Sequence, residues 1–353
     1  MRIPLIDEQD YRSQMEGRVL PALARCRVEG WMDPARLPGQ EQPSGRLHYL
    51  YYDSRAFDGL DIEGAVGSFH GTIVISHGFT EFAEKYSEMV WYFLLAGYSV
   101  CVLEHRGHGH SIHDIKDPSL VWIDDWRRYV ADLAKFSSTI GQQYADESPL
   151  YLYAHSMGGG IGAALLEEHP DLFDKAVLSS PMIAPDTGVP NWLARVAAAA
   201  MCTIGQDKRM VPGHAPFCED QDLSGYEGAS AARVSWYHRQ RLADTSYQTN
   251  AATFGWLREA LRLSRAIMRP EACGRVETPS LLFQAGRDTW VRNGAEDRFA
   301  KQVTAAGGNV ELVRFADSAH EIFSMPNRTL EPYLQRILGY FQAPTVPSLI
   351  DDE

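Results

Sequence analysis

The chain has 353 residues, 45% of them hydrophobic and 11% aromatic, which is enough apolar material for one large α/β domain with an insertion or for two smaller domains. A formal net charge of -13 argues against nucleic acid or a strongly anionic surface as the main partner, because both reward basic patches. Five cysteines (Cys26, Cys101, Cys202, Cys218, Cys273), odd in number and without a C-x-x-C pair, fit reduced thiols and argue against both a disulfide framework and a zinc site. The opening Met1-Arg2-Ile3-Pro4-Leu5-Ile6-Asp7-Glu8 has no apolar core of signal-peptide length, and no run is long enough to span a bilayer. A soluble, cytoplasmic protein is expected. A lipid substrate would still demand peripheral contact with the inner face of the membrane.

In chain order, residues 1–44 combine a helical stretch, Tyr11 to Val28, with Pro and Gly punctuation, and read as an N-terminal arm without visible chemistry. The run Leu47 to Tyr52 has strand composition, and Thr72 to Ser76 reads as a buried strand running into His77-Gly78-Phe79-Thr80-Glu81. A helix is expected from Glu84 to Ala96, then a strand from Ser99 to Leu103 that ends in a histidine-rich loop, then a helix from Trp122 to Tyr144. Further strands are expected at Leu150 to His155, Lys175 to Ser180, Ser280 to Ala285 and Asn309 to Phe315, with helices near Asn293 to Ala306 and Arg328 to Phe341. Such alternation predicts a mostly parallel central sheet with helices on both faces and a ligand at the carboxyl ends of the strands. Between 183 and 269 the alternation stops. Trp192 to Ile204, Ala229 to Leu242 and Ala251 to Met268 read there as helices of an inserted cap, or lid, which leaves 45–182 and 270–345 as the core.

The stretch Tyr153-Ala154-His155-Ser156-Met157-Gly158-Gly159-Gly160 is a strand, a tight turn and the start of a helix. A serine so placed is thrown forward with the first helical N–H groups facing whatever it attacks. The pattern departs from G-x-S-x-G only in having Ala154 for the first glycine. A serine hydroxyl is a poor nucleophile at neutral pH, so it needs a base and a carboxylate that orients the base. Ser156, Asp288 and His320 follow in the chain order Ser, Asp, His, each just beyond an expected strand. Asp317 is the rival acid, three residues before His320 and poorly placed to reach the far side of the imidazole. Asp288 could instead cap the next helix, and Glu81 the helix that follows it.

With these come Arg106-Gly107-His108-Gly109-His110-Ser111, Gly286-Arg287-Asp288 and Ala319-His320-Glu321. In order and spacing the motifs resemble the α/β-hydrolase superfamily, and more narrowly the bacterial lysophospholipases and monoglyceride lipases. Glu104 stands where such relatives often carry Asp. The resemblance implies an α/β-hydrolase fold and an oxyanion hole made of the backbone N–H groups of Phe79 and Met157, each worth about 3 kcal/mol in the transition state. It also implies a serine carboxylic ester hydrolase working through an acyl-enzyme, with neither metal nor organic cofactor. His105, His108, His110 and His113 then belong to a structural loop, since they share it without carboxylate or cysteine ligands at a sensible spacing.

An inserted segment rich in apolar and aromatic residues suggests an acyl-chain substrate. Trp192, Tyr237, Arg239 and Trp256 are its candidate substrate-binding residues, and Arg233 or Arg239 could meet a phosphate head group. The Trp192, Leu193, Val196 stripe reads either as core or as a lipid-facing surface. The segment's resemblance to that of bacterial lysophospholipases favours release of a fatty acid from a lysophospholipid. A monoacylglycerol lipase or general carboxylesterase would use the same three residues. An aminopeptidase would need an acidic pocket for an α-amino group, and a non-enzymatic lipid-binding protein would need none of the three.

Overall fold

Strands whose every residue is buried need cover on both faces, and five strands of this computed structural model are of that kind: β3 (Gly71–Ser76), β4 (Tyr98–Leu103), β6 (Leu150–His155), β7 (Lys175–Ser179) and β9 (Ser280–Ala285). With β1 (Arg27–Met32), β2 (Leu47–Tyr52) and β10 (Val310–Phe315) they form an eight-stranded sheet in the order β1-β2-β4-β3-β6-β7-β9-β10. It is parallel from β4 to β10 and antiparallel at the β1 and β2 edge. Side chains alternate between the faces. Ile73, Val100, Tyr153 and Phe283 face the helices Ser87–Leu95 and Asn327–Gln342, whereas Val74, Cys101, Leu152 and Leu282 face Arg127–Phe136, Met157–Glu168 and Asn293–Ala305. The structure describes residues 3–41, 43–220 and 226–344. Met1 and Arg2 of the amino terminus, residues 221–225 of the expected insertion and residue 345 at the expected end of the core lie outside it.

The arm differs from the single helix that its composition suggests. Tyr11–Gln14, the π-turn Met15–Val19 and Leu20–Cys26 follow one another, and the chain turns extended at Arg27 to add β1 to the sheet edge. Most of β1 is solvent-exposed, so it lacks the apolar signature by which the central strands are recognised. Likewise Trp122 to Tyr144 is not one helix. Leu120–Val121 forms β5, and the helix starts only at Arg127, where the Asp125 carboxylate accepts the Arg127 N–H.

The chain between β7 and β9 carries the helices Asn191–Thr203, Ala231–Ala243 and Phe254–Ile267. Its two-residue strand β8 (Ala251–Ala252) pairs with β5, and Thr253 then caps the third helix by accepting the Trp256 N–H at 3.2 Å. That helix packs on Asn191–Thr203 and on Met157–Glu168, directly over the serine turn. The helix Ala231–Ala243 is tied down by a buried ion pair. Arg233 donates to Glu88 at 2.8 and 2.7 Å, to the Met325 carbonyl at 2.9 Å and to Asn327 at 2.6 Å. Glu88 also accepts the Tyr11 and Tyr92 hydroxyls at 2.8 and 2.6 Å, which brings the arm into the same cluster. Four of the five N–H donors of Arg233 are thus engaged, its Nη1 also lies 3.8 Å from Glu8, and the residue is buried, so it is not presented to a phosphate head group as expected.

Removing one partner of such a pair leaves a buried charge uncompensated. Arg233→Met should lower the unfolding free energy by about 3–5 kcal/mol, read from urea denaturation. A loss under about 0.5 kcal/mol would mean that the ion pair does not anchor this helix.

Candidate active site

Ser156 has φ 51° and ψ −118°, a conformation that costs a non-glycine residue on the order of 1–3 kcal/mol. Three backbone bonds hold it there: its N–H donates to the Ser179 carbonyl at 3.1 Å, and its carbonyl accepts from Gly160 at 3.0 Å and Met182 at 2.8 Å. The turn has no room for side chains. A Cβ at Gly158 would stand 2.1 Å from the Ser76 carbonyl oxygen, and one at Gly160 would stand 2.7 Å from that of Met182. The methyl of Ala154, which replaces the first motif glycine, is accommodated by a different glycine. A Cβ at Gly162, one turn and a half along the helix, would lie 3.1 Å from the Ala154 Cβ, so its absence there leaves the space.

The carboxyl ends of β6, β9 and β10 bring three residues distant in sequence together. Ser156 Oγ lies 2.8 Å from His320 Nε2, and His320 Nδ1 lies 2.6 Å from Asp288 Oδ2. Asp288 Oδ1 accepts the backbone N–H groups of Trp290 and Val291 at 2.8 and 2.9 Å. Burial opposes the charge on Asp288, but His320 and these two N–H groups outweigh it and hold the carboxyl below its usual pKa. Asp288 thus faces the imidazole as well as the following loop. Asp317 is exposed, no hydrogen bond joins its carboxylate to His320 among the described residues, and its backbone carbonyl accepts from the Arg287 guanidinium. The backbone of His320 is fixed by Ser180, whose hydroxyl donates to the His320 carbonyl at 2.9 Å. Ser180 itself has φ 43°. Nothing in the motifs singled it out, because its role appears only when β7 and the His320 loop meet.

The first bond within the helix after Ser156 is Gly160 N–H to the Ser156 carbonyl, so the N–H of Met157 lies ahead of the helical ladder. In the loop after β3, no hydrogen bond engages the Phe79 N–H among the described residues. The Phe79 loop is shaped by Glu81. This carboxylate reaches backwards to accept the Gly78 N–H at 2.5 Å, and also accepts the Tyr86 hydroxyl at 2.6 Å, so it does more than cap the following turn.

Two of the four residues expected to bind substrate approach this loop. Trp256 is buried with its ring centroid 4.2 Å from that of Phe79, and Tyr237 donates its hydroxyl to the Thr80 carbonyl at 3.1 Å. A small, largely apolar void of about 10 Å³ lies among Met157, Ile161, Met182, Leu263 and Trp256. The other two do not: Trp192 is 61% exposed, and Arg239 lies on the exposed face of its helix. The histidine loop also needs correction. It does have a carboxylate partner, since buried Glu104 accepts from His48 Nδ1 at 2.8 Å and from the backbone N–H groups of Ala83 and His110 at 3.0 and 2.7 Å. Burial opposes its charge as well, and hydrogen bonds from His110 and His48 nevertheless depress its pKa.

A mostly parallel sheet with a serine turn after β6, an acid after β9 and a histidine after β10 defines an α/β-hydrolase. The chain belongs to the family described as Serine aminopeptidase, S33, whose sequence profile matches residues 67–327. It is 29% identical over 293 residues to the lysophospholipase L2 of Escherichia coli K12, covering 78% of this chain and 82% of that one. It is 26% identical over 264 residues to a monoacylglycerol lipase of Mycolicibacterium smegmatis, covering 74% and 84%. Among solved structures, a soluble variant of monoglyceride lipase from Saccharomyces cerevisiae superposes with a TM-score of 0.65 at 16% identity, covering 88% of this chain and 96% of that one. These relatives and the family support an ester hydrolase. No described helix is long and apolar enough to cross a membrane.

Proposed function

We propose that the chain is a serine ester hydrolase that releases a fatty acid from a lysophospholipid. The observation that carries the reading is the continuous hydrogen-bond line from Ser156 through His320 to Asp288. In this account His320 Nε2 takes the Ser156 proton as Oγ bonds to the ester carbon, and Asp288 stabilises the imidazolium. The oxyanion is met by the N–H groups of Phe79 and Met157. His320 then gives its proton to the leaving alcohol, which departs and leaves an acyl-enzyme. Water attacks the acyl carbon, loses its proton to His320 and releases the fatty acid as the proton returns to Ser156.

The identity to lysophospholipase L2 over most of both chains favours the phospholipid substrate. The family's name raises an aminopeptidase, which would need an unpaired carboxylate for the substrate ammonium. Glu81 and Glu321, on the Phe79 and His320 loops, are already bonded to Lys85 at 2.8 and 2.5 Å, and Asp288 is bonded to His320. We read the segment 183–269 as a lid whose outer helix touches the lipid surface, since Trp192, Leu193 and Val196 are 61, 44 and 57% exposed along one stripe.

The test is fatty acid release from lysophosphatidylcholine and from a monoacylglycerol of equal chain length, with wild type, Ser156→Ala and a Trp192→Glu/Val196→Glu variant. Ser156-dependent release favouring the phospholipid is expected, with the double variant slowed on vesicle-borne substrate and unchanged on a short soluble ester. Preference for the neutral lipid would replace the lysophospholipase reading by a monoacylglycerol lipase. Asp288→Asn should lower kcat by roughly 10⁴-fold with folding intact, and Asp317→Asn should change it little. The reverse ranking would assign the acid to Asp317.

A further inference from the structure

Lys85 is buried to 3% side-chain exposure, where an ammonium survives only if it is fully partnered. Its Nζ donates to Glu81 Oε1 at 2.8 Å and to Glu321 Oε1 at 2.5 Å, and stands 4.0 Å from the centroid of the Tyr237 ring. Each contact leads to a different part of the site. Glu81 holds the Gly78 N–H at 2.5 Å, one residue before Phe79. Glu321 directly follows His320 and is braced from its other oxygen by the Ser324 hydroxyl at 2.8 Å. Tyr237 comes from the inserted segment and holds the Thr80 carbonyl on the other side of Phe79.

The loop bearing the Phe79 donor and the loop bearing His320 are 236 residues apart along the chain where Lys85 meets Glu321, and each leaves a different strand. A reaction that needs both an oxyanion donor and a proton acceptor at one carbon is sensitive to their separation, and a displacement of about 1 Å can cost on the order of 10²-fold in rate. We propose that Lys85 is a positioning residue: its ammonium clamps the oxyanion loop to the histidine loop through Glu81 and Glu321, and so sets the distance between the Phe79 N–H and His320. The ammonium between them offsets the repulsion of two carboxylates held in one buried space. His155 lies 3.7 Å from Glu81, but burial lowers its pKa to about 4, so it is neutral and does not replace the ammonium. This inference rests on the proposed hydrolase reading.

The experiment uses the full chain as wild type, Ser156→Ala, Lys85→Met, Lys85→Arg, Glu321→Gln and the Lys85→Met/Glu321→Gln double variant. Four quantities are read: kcat and KM on p-nitrophenyl butyrate, Ki for an alkyl trifluoromethyl ketone, and Tm. The ketone is a probe of the clamp, because Ser156 Oγ bonds to its carbonyl carbon, His320 takes the proton, and the oxygen of the hemiketal occupies the oxyanion site. Lys85→Met should lower kcat on the order of 10²-fold and weaken the ketone by a similar factor, with KM within about twofold. Lys85→Arg should recover part of both, since a guanidinium can still bridge two carboxylates. The double variant should be no slower than Lys85→Met alone, because both changes break one linkage.

Should Lys85→Met fail to fold, Glu321→Gln alone decides: parallel losses in kcat and ketone affinity support the clamp, and unchanged values overturn it. Lys85→Met with kcat within about threefold of wild type overturns it, as does a loss of kcat with full ketone affinity, or a double variant whose losses multiply. An active Lys85→Met beside an inactive Ser156→Ala removes this inference alone. Wild type that is inactive, or no faster than Ser156→Ala, removes the hydrolase reading and the clamp with it.

Discussion

The left-handed backbone at Ser156 is the constraint on which the rest of the structure depends. Few residues other than glycine accept φ near 51°, and the strain is tolerable only because β7, the Pro181–Met182 turn and the following helix each fix the serine's peptide groups. The packing around it follows. Gly158 lets the helix start against the Ser76 carbonyl, Gly160 lets it pass Met182, and Gly162 gives back the space that Ala154 occupies. The strain also has a chemical consequence, since it points Oγ away from the helix and toward His320.

Around this turn the protein uses buried charges as joints between segments far apart in the chain. Glu88 gathers the arm, the helix Ser87–Leu95 and the helix Ala231–Ala243 on Arg233. Glu104 joins the histidine loop to β2 through His48 and to the helix after the Phe79 loop through Ala83. Glu81, Lys85 and Glu321 join the two loops that face Ser156. Buried ion pairs add little net stability over apolar side chains of equal volume, but breaking one is costly. Their value here is geometric, because each leaves a loop with a single satisfied arrangement.

Much of the architecture could be read from the sequence because central parallel strands are short unbroken apolar runs, and the chemistry-bearing residues follow directly after them. Ser156, Asp288 and His320 follow this rule, and His320 stands within hydrogen-bonding distance of both others. What escaped has a common cause. β1 is a polar edge strand that exists because β2 offers a partner. Arg233 reads as a surface cation until Glu88 is brought to it, and Lys85 reads as an ordinary helix lysine until Glu321 arrives from the other end of the chain. Glu81 shows the same limit, since its spacing suits a helix cap while its carboxylate turns back to Gly78. Trp192 stays open between core and surface for a related reason: apolar spacing on a helix cannot tell an inward face from an outward one, and here it is exposed.

The central claim is that Ser156 is a nucleophile activated by His320. The most direct measurement is reaction of the folded protein with a long-chain alkyl fluorophosphonate, in which a serine oxygen displaces fluoride at phosphorus, followed by peptide mass spectrometry to locate the adduct. The account predicts one stoichiometric adduct, on the peptide containing Ser156, that disappears in Ser156→Ala and forms far more slowly in His320→Ala. No adduct on the folded wild type, or labelling that persists in Ser156→Ala, would contradict it.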